Sequence, residues 1–104
     1  MIDTVRNPDV LAEVVDRVLT AGAAEFEVEY DEGEEHVMAL SGCVGVSIAS
    51  FPSDSEEARE LRSQLYALKT RRRKIIHAGI EYVLRVKIFD SFGEDVFRVT
   101  LVRS

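Results

Sequence analysis

The most regular alternation of apolar and polar residues lies near the C-terminal end of the chain. Between residues 75 and 102, Val, Ile, Leu, Tyr and Phe alternate with polar residues in two runs. Residues 90–94 join the two runs and contain Gly93. A period of two, β-branched and aromatic residues, and a glycine in the connection together predict a long β-hairpin.

A helical pattern occupies the N-terminal region. Its apolar residues form one broad stripe at helical spacing: Val10, Leu11, Val14, Val15, Val18 and Leu19. The sequence Asn7-Pro8-Asp9 predicts the helix start, because Asn caps free amides, Pro fits the first turn and Asp complements the positive helix end. Gly22 predicts the end, since the residue after the last turn often needs a positive φ.

After this helix the hydrophobic period changes to two. Apolar residues alternate with glutamates, in the order Ala24, Glu25, Phe26, Glu27, Val28, Glu29 and Tyr30. This pattern predicts a strand with one buried face and one acidic face. Carboxylates on one face of a strand lie roughly 7 Å apart, too far to hold one cation without other ligands. A solvated face is therefore favoured over a metal site.

Two more strands are predicted before the middle of the chain. Residues 31–34 form a turn with Gly33 at the position of positive φ, and residues 35–40 complete a hairpin. A third strand of small residues follows, with apolar positions at Val44, Val46 and Ile48. Within it, Gly45 predicts a bulge or a close approach, and we expect Cys43 to be a small packing residue.

A second helix is predicted after Pro52. Ser53 and Glu56 have the spacing of a capping box, and Ser55 is a competing cap. One apolar stripe follows: Ala58, Leu61, Leu65 and Leu68. Basic residues then accumulate, and we place them at the C-terminal end of the helix, where they suit its dipole: Lys69, Arg71, Arg72, Arg73 and Lys74. Their alternative role is a site for an anion or an acidic partner.

These elements predict an α+β fold. Two helices would pack on one face of a mainly antiparallel sheet of about five strands, in the order α-β-β-β-α-β-β. A chain of 104 residues has the size of one domain, so we take residues 1–104 as a single unit.

Composition indicates a globular protein of a reducing compartment. Hydrophobic residues make up 46% of the chain and charged residues 31%, so wholesale disorder is not expected. The one cysteine, Cys43, cannot form an internal disulfide. The first ten residues have no signal-peptide pattern, and no apolar run is long enough to span a membrane. We therefore expect a cytoplasmic protein without membrane insertion.

Charge is distributed unevenly along the chain. Residues 1–60 contain fifteen Asp or Glu against three Lys or Arg, whereas residues 61–104 contain four against ten. The net charge of −6 argues against general affinity for nucleic acid. Either the two halves interleave their charges, which is the favoured interpretation, or the molecule has an acidic and a basic face. The second case favours head-to-tail association or a partner of opposite charge.

No established catalytic motif is found in the sequence. The patterns GxSxG, HExxH, CxxC and Walker A are absent, so we predict no catalytic residue, cofactor or metal ligand. His36 and His77 lie far apart in the sequence, and neither has a carboxylate or thiol motif beside it. We expect both to be surface or edge-strand histidines.

Several segments together resemble a known module. A helix is followed by GAAEFEVEY (residues 22–30), a hairpin, a second helix, and then HAGIEYVLRV (77–86) and FDSFGEDVFRVTL (89–101). This order is similar to the N-terminal domain of type II secretion and type IV pilus assembly ATPases, over residues 8–102. The chain departs from that family at Glu25 and Glu27, which stand near its usual Asp-x-His pair. It also has Asp90-Ser91 where the family has Pro before the aromatic-Gly-Glu loop.

The resemblance implies a protein–protein module. In that family the domain packs against a RecA-like motor domain, whose Walker motifs would lie beyond Ser104, so it implies no ATP hydrolysis by this chain alone. Arginines of the domain can approach the nucleotide there, and Arg85 and Arg98 match such positions. The simpler interpretation, which we favour, is that both arginines lie on the exposed face of the hairpin.

Three functional hypotheses follow. The first is a non-enzymatic adaptor or regulatory domain that binds a protein, for example an ATPase of this class or a second copy, through a sheet edge or the basic helix end. Its candidate interaction residues are Arg71, Arg72, Arg73, Lys74, Arg85 and Arg98. The second is a nucleic-acid binder that uses the same basic residues, although no aromatic residues interleave with them. The third is an enzyme or small-ligand binder whose site is assembled only by the fold.

Overall fold

A computed structural model describes residues 9–104 of the protein. It has two helices and six strands: α1 (Val10–Thr20), β1 (Glu25–Asp31), β2 (Glu34–Ser41), β3 (Val44–Pro52), α2 (Glu56–Ala67), β4 (Arg73–His77), β5 (Ile80–Ser91) and β6 (Glu94–Arg103). The predicted α+β class is confirmed. The predicted strand count of five is wrong, because the structure has six strands.

All six strands form one antiparallel sheet. Its spatial order is β3-β2-β1-β6-β5-β4, so each half of the chain contributes three neighbouring strands. The two halves meet where β1 pairs with β6, with Phe26 opposite Val99 and Val28 opposite Phe97. In the sheet, the acidic half and the basic half of the chain lie side by side, and ion pairs such as Arg98–Glu27 and Arg62–Glu35 join the two halves.

The sixth strand arises from a tight turn at Ala78-Gly79. Both residues have positive φ, +51° and +78°, as a two-residue hairpin turn of type I′ requires. The turn divides the first apolar run into β4 and β5, which pair from Arg73 opposite Leu84 to His77 opposite Ile80. The predicted hairpin between residues 75 and 102 is confirmed in its longer part, β5 and β6.

The start of α1 differs from the prediction. Asp9 is the N-cap, and its side chain accepts a hydrogen bond from the amide of Ala12 at 3.2 Å. Asn7 and Pro8, which we predicted to begin the helix, lie outside the described residues. The predicted end is confirmed: Gly22 has φ +84°, and its amide donates to the carbonyl of Leu19.

Helix α2 is shorter than predicted. Ser55 caps it by accepting a hydrogen bond from the amide of Ala58 at 3.1 Å, which decides between the two candidate caps. The helix ends at Ala67, and its last turn contains no basic residue. The predicted basic helix end is therefore wrong. Side chains alternate between the two faces of the sheet from Arg73 onward, and the turn at Ala78-Gly79 follows. The second part of the basic run, Arg73 and Lys74, therefore lies in strand β4.

The hydrophobic core lies between the helices and one face of the sheet. Helix α1 contributes Leu11, Val14, Val15 and Val18, and α2 contributes Leu61 and Leu65. The strands contribute Phe26, Val28, Val37, Ala39, Leu84, Phe97, Val99 and Leu101. Successive side chains of a strand point to opposite faces, so the residues between these core positions form the other face of the sheet, which we call the open face. Neither helix of residues 9–104 is long and apolar enough to cross a membrane.

Strand β3 contains the irregularity predicted near Gly45, but at another residue. The pairing with β2 shifts between Val37 and Met38, which leaves Ile48 as the extra residue of a β-bulge. Gly45 itself makes the close approach. A Cβ atom placed there would lie 3.1 Å from the terminal methyl of Met38.

Candidate functional site

The predicted basic residues differ in their surroundings. Arg71 and Arg72 are exposed and lie between α2 and β4. Arg73 is half-buried and forms an ion pair with Asp9, so its charge is used to hold β4 against the start of α1. Arg73 is therefore not a free cation for a nucleic acid or another ligand.

The remaining three predicted residues lie on the open face. Lys74 is exposed, and its Nζ is 4.0 Å from the carboxylate of Glu81. Arg85 and Arg98 are also exposed, on the neighbouring strands β5 and β6. Our interpretation of Arg85 and Arg98 as exposed hairpin residues is therefore confirmed.

The structure adds Lys87 to these two arginines. Lys87 lies directly opposite Arg98, and Arg85 lies opposite Thr100. We call Arg85, Lys87 and Arg98 the basic strip. Together with Glu25, Val86, Phe89 and Thr100 they line an open groove of about 450 Å³. The spacing of two residues between Arg85 and Lys87 on a predicted strand was the signal that could have identified Lys87.

The three cations of the basic strip differ in whether a carboxylate of the chain already pairs with them. Arg98 donates two hydrogen bonds to one carboxylate oxygen of Glu27, from Nη2 at 2.7 Å and from Nε at 3.1 Å. This hydrogen bonding, and then the charge of Glu27, raise the pKa of Arg98. Among residues 9–104, no carboxylate lies within 4.0 Å of the charged groups of Arg85 or Lys87. Those two charges are available to a ligand.

The acidic half of the open face lies on β1 and β2. A groove of about 620 Å³ is lined there by carboxylates and two apolar side chains: Glu27, Glu29, Asp31, His36, Met38, Leu40 and Ser47. Over the described part of the chain, no three His, Cys, Asp or Glu residues come close enough to hold a metal ion.

The expectation that Cys43 is a small packing residue is wrong, because Cys43 is exposed.

The turn between β5 and β6 has an unusual residue at its first position. Three tight turns begin with a residue of positive φ followed by glycine: Glu32 (+50°), Ala78 (+51°) and Phe92 (+53°). A bulky residue in this region of φ is rare, because its side chain crowds the backbone. Phe92 is also completely exposed, at 103% of its reference area. Neither folding nor packing explains its position.

Three carboxylates lie within three residues of Phe92 in the chain. Asp90 lies directly opposite Asp95 in the β5–β6 register, and Glu94 begins β6. We call Asp90, Phe92, Glu94 and Asp95 the acidic tip. Like charges placed opposite each other weaken a pair of strands. Tyr66 of α2 partly offsets this effect, since its hydroxyl donates a hydrogen bond to Asp95. That hydrogen bond, and then burial, raise the pKa of Tyr66.

The two edges of the sheet are protected to different degrees. Edge strand β4 has five residues and is joined to α1 at both ends, by the ion pair between Arg73 and Asp9 and by a 2.8 Å contact from His77 Nδ1 to Asp16. The prediction of an edge-strand histidine is confirmed for His77. His36 lies on β2 inside the sheet, where it is half-buried and lines the groove on the open face, so it fits the surface alternative of the prediction.

Edge strand β3 has nine residues and no charged side chain. Arg17 of α1 reaches its bulge and donates a hydrogen bond to the carbonyl of Ile48 at 3.3 Å. Before the bulge, Val44 and Val46 are 61% and 55% exposed. We call residues 44–47 the free edge. An edge without charge presents unpaired backbone groups to another chain, and natural proteins usually protect such an edge with charge or cover.

No family model matches the chain, and no curated protein matches it.

Proposed function

We propose that this chain is a non-enzymatic protein-interaction domain with an adaptor or regulatory role, and that the free edge receives a strand of its partner. The observation that supports the proposal is the absence of charge along β3. Short edges, lysines, bulges and covering elements are the usual defences of a sheet edge. The bulge at Ile48 protects only the second half of β3.

The contrast with β4 strengthens this proposal. Strand β4 is short, contains Arg73 and Lys74, and is held to α1 by two side-chain contacts. Both edges belong to the same sheet, yet only one has these protections. A partner strand added to β3 would gain main-chain hydrogen bonds and apolar contacts with Val44 and Val46. The expected partner is therefore an extended segment with apolar side chains on alternate positions.

The resemblance to the N-terminal domain of secretion and pilus assembly ATPases identifies a first partner to test. We propose a motor domain of that class, encountered in the cytoplasm, with a second copy of this chain as the alternative. In such a complex Arg85 is the arginine available for a new contact, whereas Arg98 is already bound to Glu27.

The test uses two lysine substitutions on opposite edges. Val46→Lys places a charge on the free edge, and Ile76→Lys places one on β4, where the isoleucine is 70% exposed. Both residues are exposed, so both variants should fold like the wild type, which circular dichroism checks. Tagged versions of all three proteins capture binding proteins from an extract of the native host, and mass spectrometry quantifies each protein.

The proposal predicts a specific partner that the wild type and Ile76→Lys retain equally and that Val46→Lys loses by tenfold or more, which corresponds to about 1.4 kcal/mol of binding free energy. Equal capture by all three proteins would place the interaction elsewhere. Repeated recovery of no specific partner by the wild type would contradict the proposal as a whole.

A further inference from the structure

We propose that the basic strip binds an acidic segment of a protein partner, which lies in extended conformation along β5. The strip is on the open face, whereas strand addition to β3 uses main-chain groups at the edge of the sheet. This inference therefore does not rest on the free edge. Charge complementarity and the spacing of three side chains on β5 determine the choice of occupant.

The first observation is that two cations of the strip have no acidic partner within the described chain. Arg85 and Lys87 are exposed, and over residues 9–104 neither forms an ion pair. Lys87 also lies directly opposite Arg98. Like charges placed opposite each other weaken a pair of strands, and Glu27 pairs with Arg98 but not with Lys87. A carboxylate supplied by a ligand would compensate the charge of Lys87.

The second observation is a row of three side chains at equal spacing along β5. Arg85, Lys87 and Phe89 all point to the open face, because they are two residues apart on one strand. Neighbours in this row are about 7 Å apart, which is also the distance between alternate side chains of any extended chain. Phe89 is 40% exposed and lines the same groove as the two cations. The row therefore fits an extended segment with two carboxylates and then an apolar side chain on alternate positions.

The third observation is that the β6 side of this groove is held in place by contacts to β1. Arg98 is bound to Glu27, and the hydroxyl of Thr100 donates a hydrogen bond to Glu25 at 3.3 Å. Both Arg98 and Thr100 line the groove of about 450 Å³. Because their polar groups are already used, the contacts that select a ligand fall to β5.

Acidic residues beside the strip limit the size of the anion that it can bind. Glu25, Glu27 and Glu29 lie on the same face of β1, which is the strand next to β6. The strip is therefore two strands wide, about 10 Å. A nucleic acid has a charge at every nucleotide, and the chain has a net charge of −6. A short acidic peptide has few charges and fits within the strip, so a protein segment is the favoured occupant.

The test titrates the isotope-labelled full chain with a synthetic peptide and follows its amide signals by NMR. The probe is Glu-Ser-Glu-Ser-Phe with blocked ends, which places two carboxylates and an aromatic ring on alternate positions. The control peptide is Gln-Ser-Gln-Ser-Phe. The amides of Arg85, Lys87 and Phe89 should shift with the first peptide and not with the second. The dissociation constant should rise with salt concentration, because salt screens exposed charges.

Two matched double variants locate the binding. Arg85→Gln with Lys87→Gln removes two charges from the strip and should raise the dissociation constant tenfold or more. Arg71→Gln with Arg72→Gln removes the same charge elsewhere and should leave the constant unchanged. All four residues are exposed, so both variants should fold like the wild type, which circular dichroism checks. Val46→Lys should also leave the constant unchanged, since the free edge is not used.

Any of three peptide results would overturn the inference. They are no amide shift at millimolar peptide, equal shifts with the Gln peptide, and equal losses of binding in the two double variants. An oligothymidylate of the same length that binds the strip more tightly than the peptide would assign the strip to nucleic acid instead. Loss of peptide binding in Val46→Lys would assign the peptide to the free edge. A failed titration leaves the partner capture that tests the free edge unaffected, so the two proposals fail separately.

Discussion

Arg98 of β6 and Glu27 of β1 form the contact that joins the basic half of the sheet to its acidic half. The guanidinium donates two hydrogen bonds to a single carboxylate oxygen, and the Glu27 side chain is only 19% exposed. The contact lies on the open face, above the β1–β6 pairing that places Phe26 and Val28 in the core. This ion pair therefore lies where the acidic half of the sheet, which ends in β1, meets the basic half, which ends in β6.

Reversal of this pair tests its orientation. Glu27→Lys places two cations opposite each other and should lower the melting temperature, because like charges directly across two strands repel. Adding Arg98→Glu restores an opposite pair and should recover most of the loss. Thermal unfolding of the wild type, both single variants and the double variant completes the cycle. A double variant less stable than both single variants would show that the pair does not act through its charges.

Asp9 joins the start of α1 to two other elements. Its carboxylate accepts hydrogen bonds from the Ala12 amide, from Gln64 of α2 at 3.0 Å and from Arg73 of β4. We expect Asp9→Ala to lower the free energy of unfolding by about 1 kcal/mol at neutral pH, the usual loss for an N-cap. Urea denaturation measures this value, and Asp54→Ala serves as the exposed control.

The carboxylate of Asp9 also makes the free energy of unfolding depend on pH. Burial acts to raise the pKa of Asp9, but the hydrogen bonds from Arg73 and Ala12 and the charge of Arg73 outweigh it, so the pKa is lowered. A lowered carboxyl pKa adds stability above the unfolded value of about 3.9, and that stability is lost as the pH falls through the folded pKa. The difference in unfolding free energy between the wild type and Asp9→Ala should therefore shrink below about pH 4. A difference that grows on acidification would contradict this assignment.

Glu35 is the one buried charged side chain among the described residues, at 5% exposure. It is bound by Arg62 at 2.9 Å, and Arg62 also donates to the carbonyl of Ser53. Glu35→Ala removes the partner of a half-buried guanidinium and should cost about 2 kcal/mol, because a charge is left without compensation. The double variant Glu35→Leu with Arg62→Leu should cost less than the sum of the single changes. Additive losses in urea denaturation would show that the two residues are not coupled.

A substitution in the turn between β5 and β6 should stabilise the chain, unlike the substitutions at Asp9 and Glu35. Phe92→Asn should raise the free energy of unfolding by about 1 kcal/mol, because Asn adopts positive φ with less strain than Phe. Ala78→Asn should also stabilise the chain, and Gly93→Ala should destabilise it, since Gly93 has φ +83°. Urea denaturation at one fixed protein concentration measures the stability of all three variants. A destabilised Phe92→Asn variant would mean that the aromatic ring supports the fold.

Local patterns in the sequence predict the larger elements well. The stripe from Val10 to Leu19 predicts α1, and the alternation of Phe26 and Val28 with glutamates predicts β1. Strand β4 is missed because a basic run after a helix has two physical explanations, a helix end that suits the dipole or an edge strand. The turn at Ala78-Gly79 decides between them only when its positive φ is known.

The candidate surfaces depend on contacts that cross the chain. Asp9 and Arg73 are separated by 64 residues and Asp16 and His77 by 61, so no local pattern relates them. These contacts are what protect β4, and thereby distinguish it from β3. The position of Lys87 opposite Arg98 requires the register of β5 and β6, which pattern alone leaves open.

Hydrogen–deuterium exchange of β3 tests the central claim most directly. The wild-type chain is compared alone and in complex with the partner that it captures. If a partner strand adds to the free edge, the amides of residues 44–47 exchange more slowly in the complex, while those of Arg73–His77 keep their rates. Unchanged exchange at residues 44–47, with protection elsewhere, would show that the partner binds another surface.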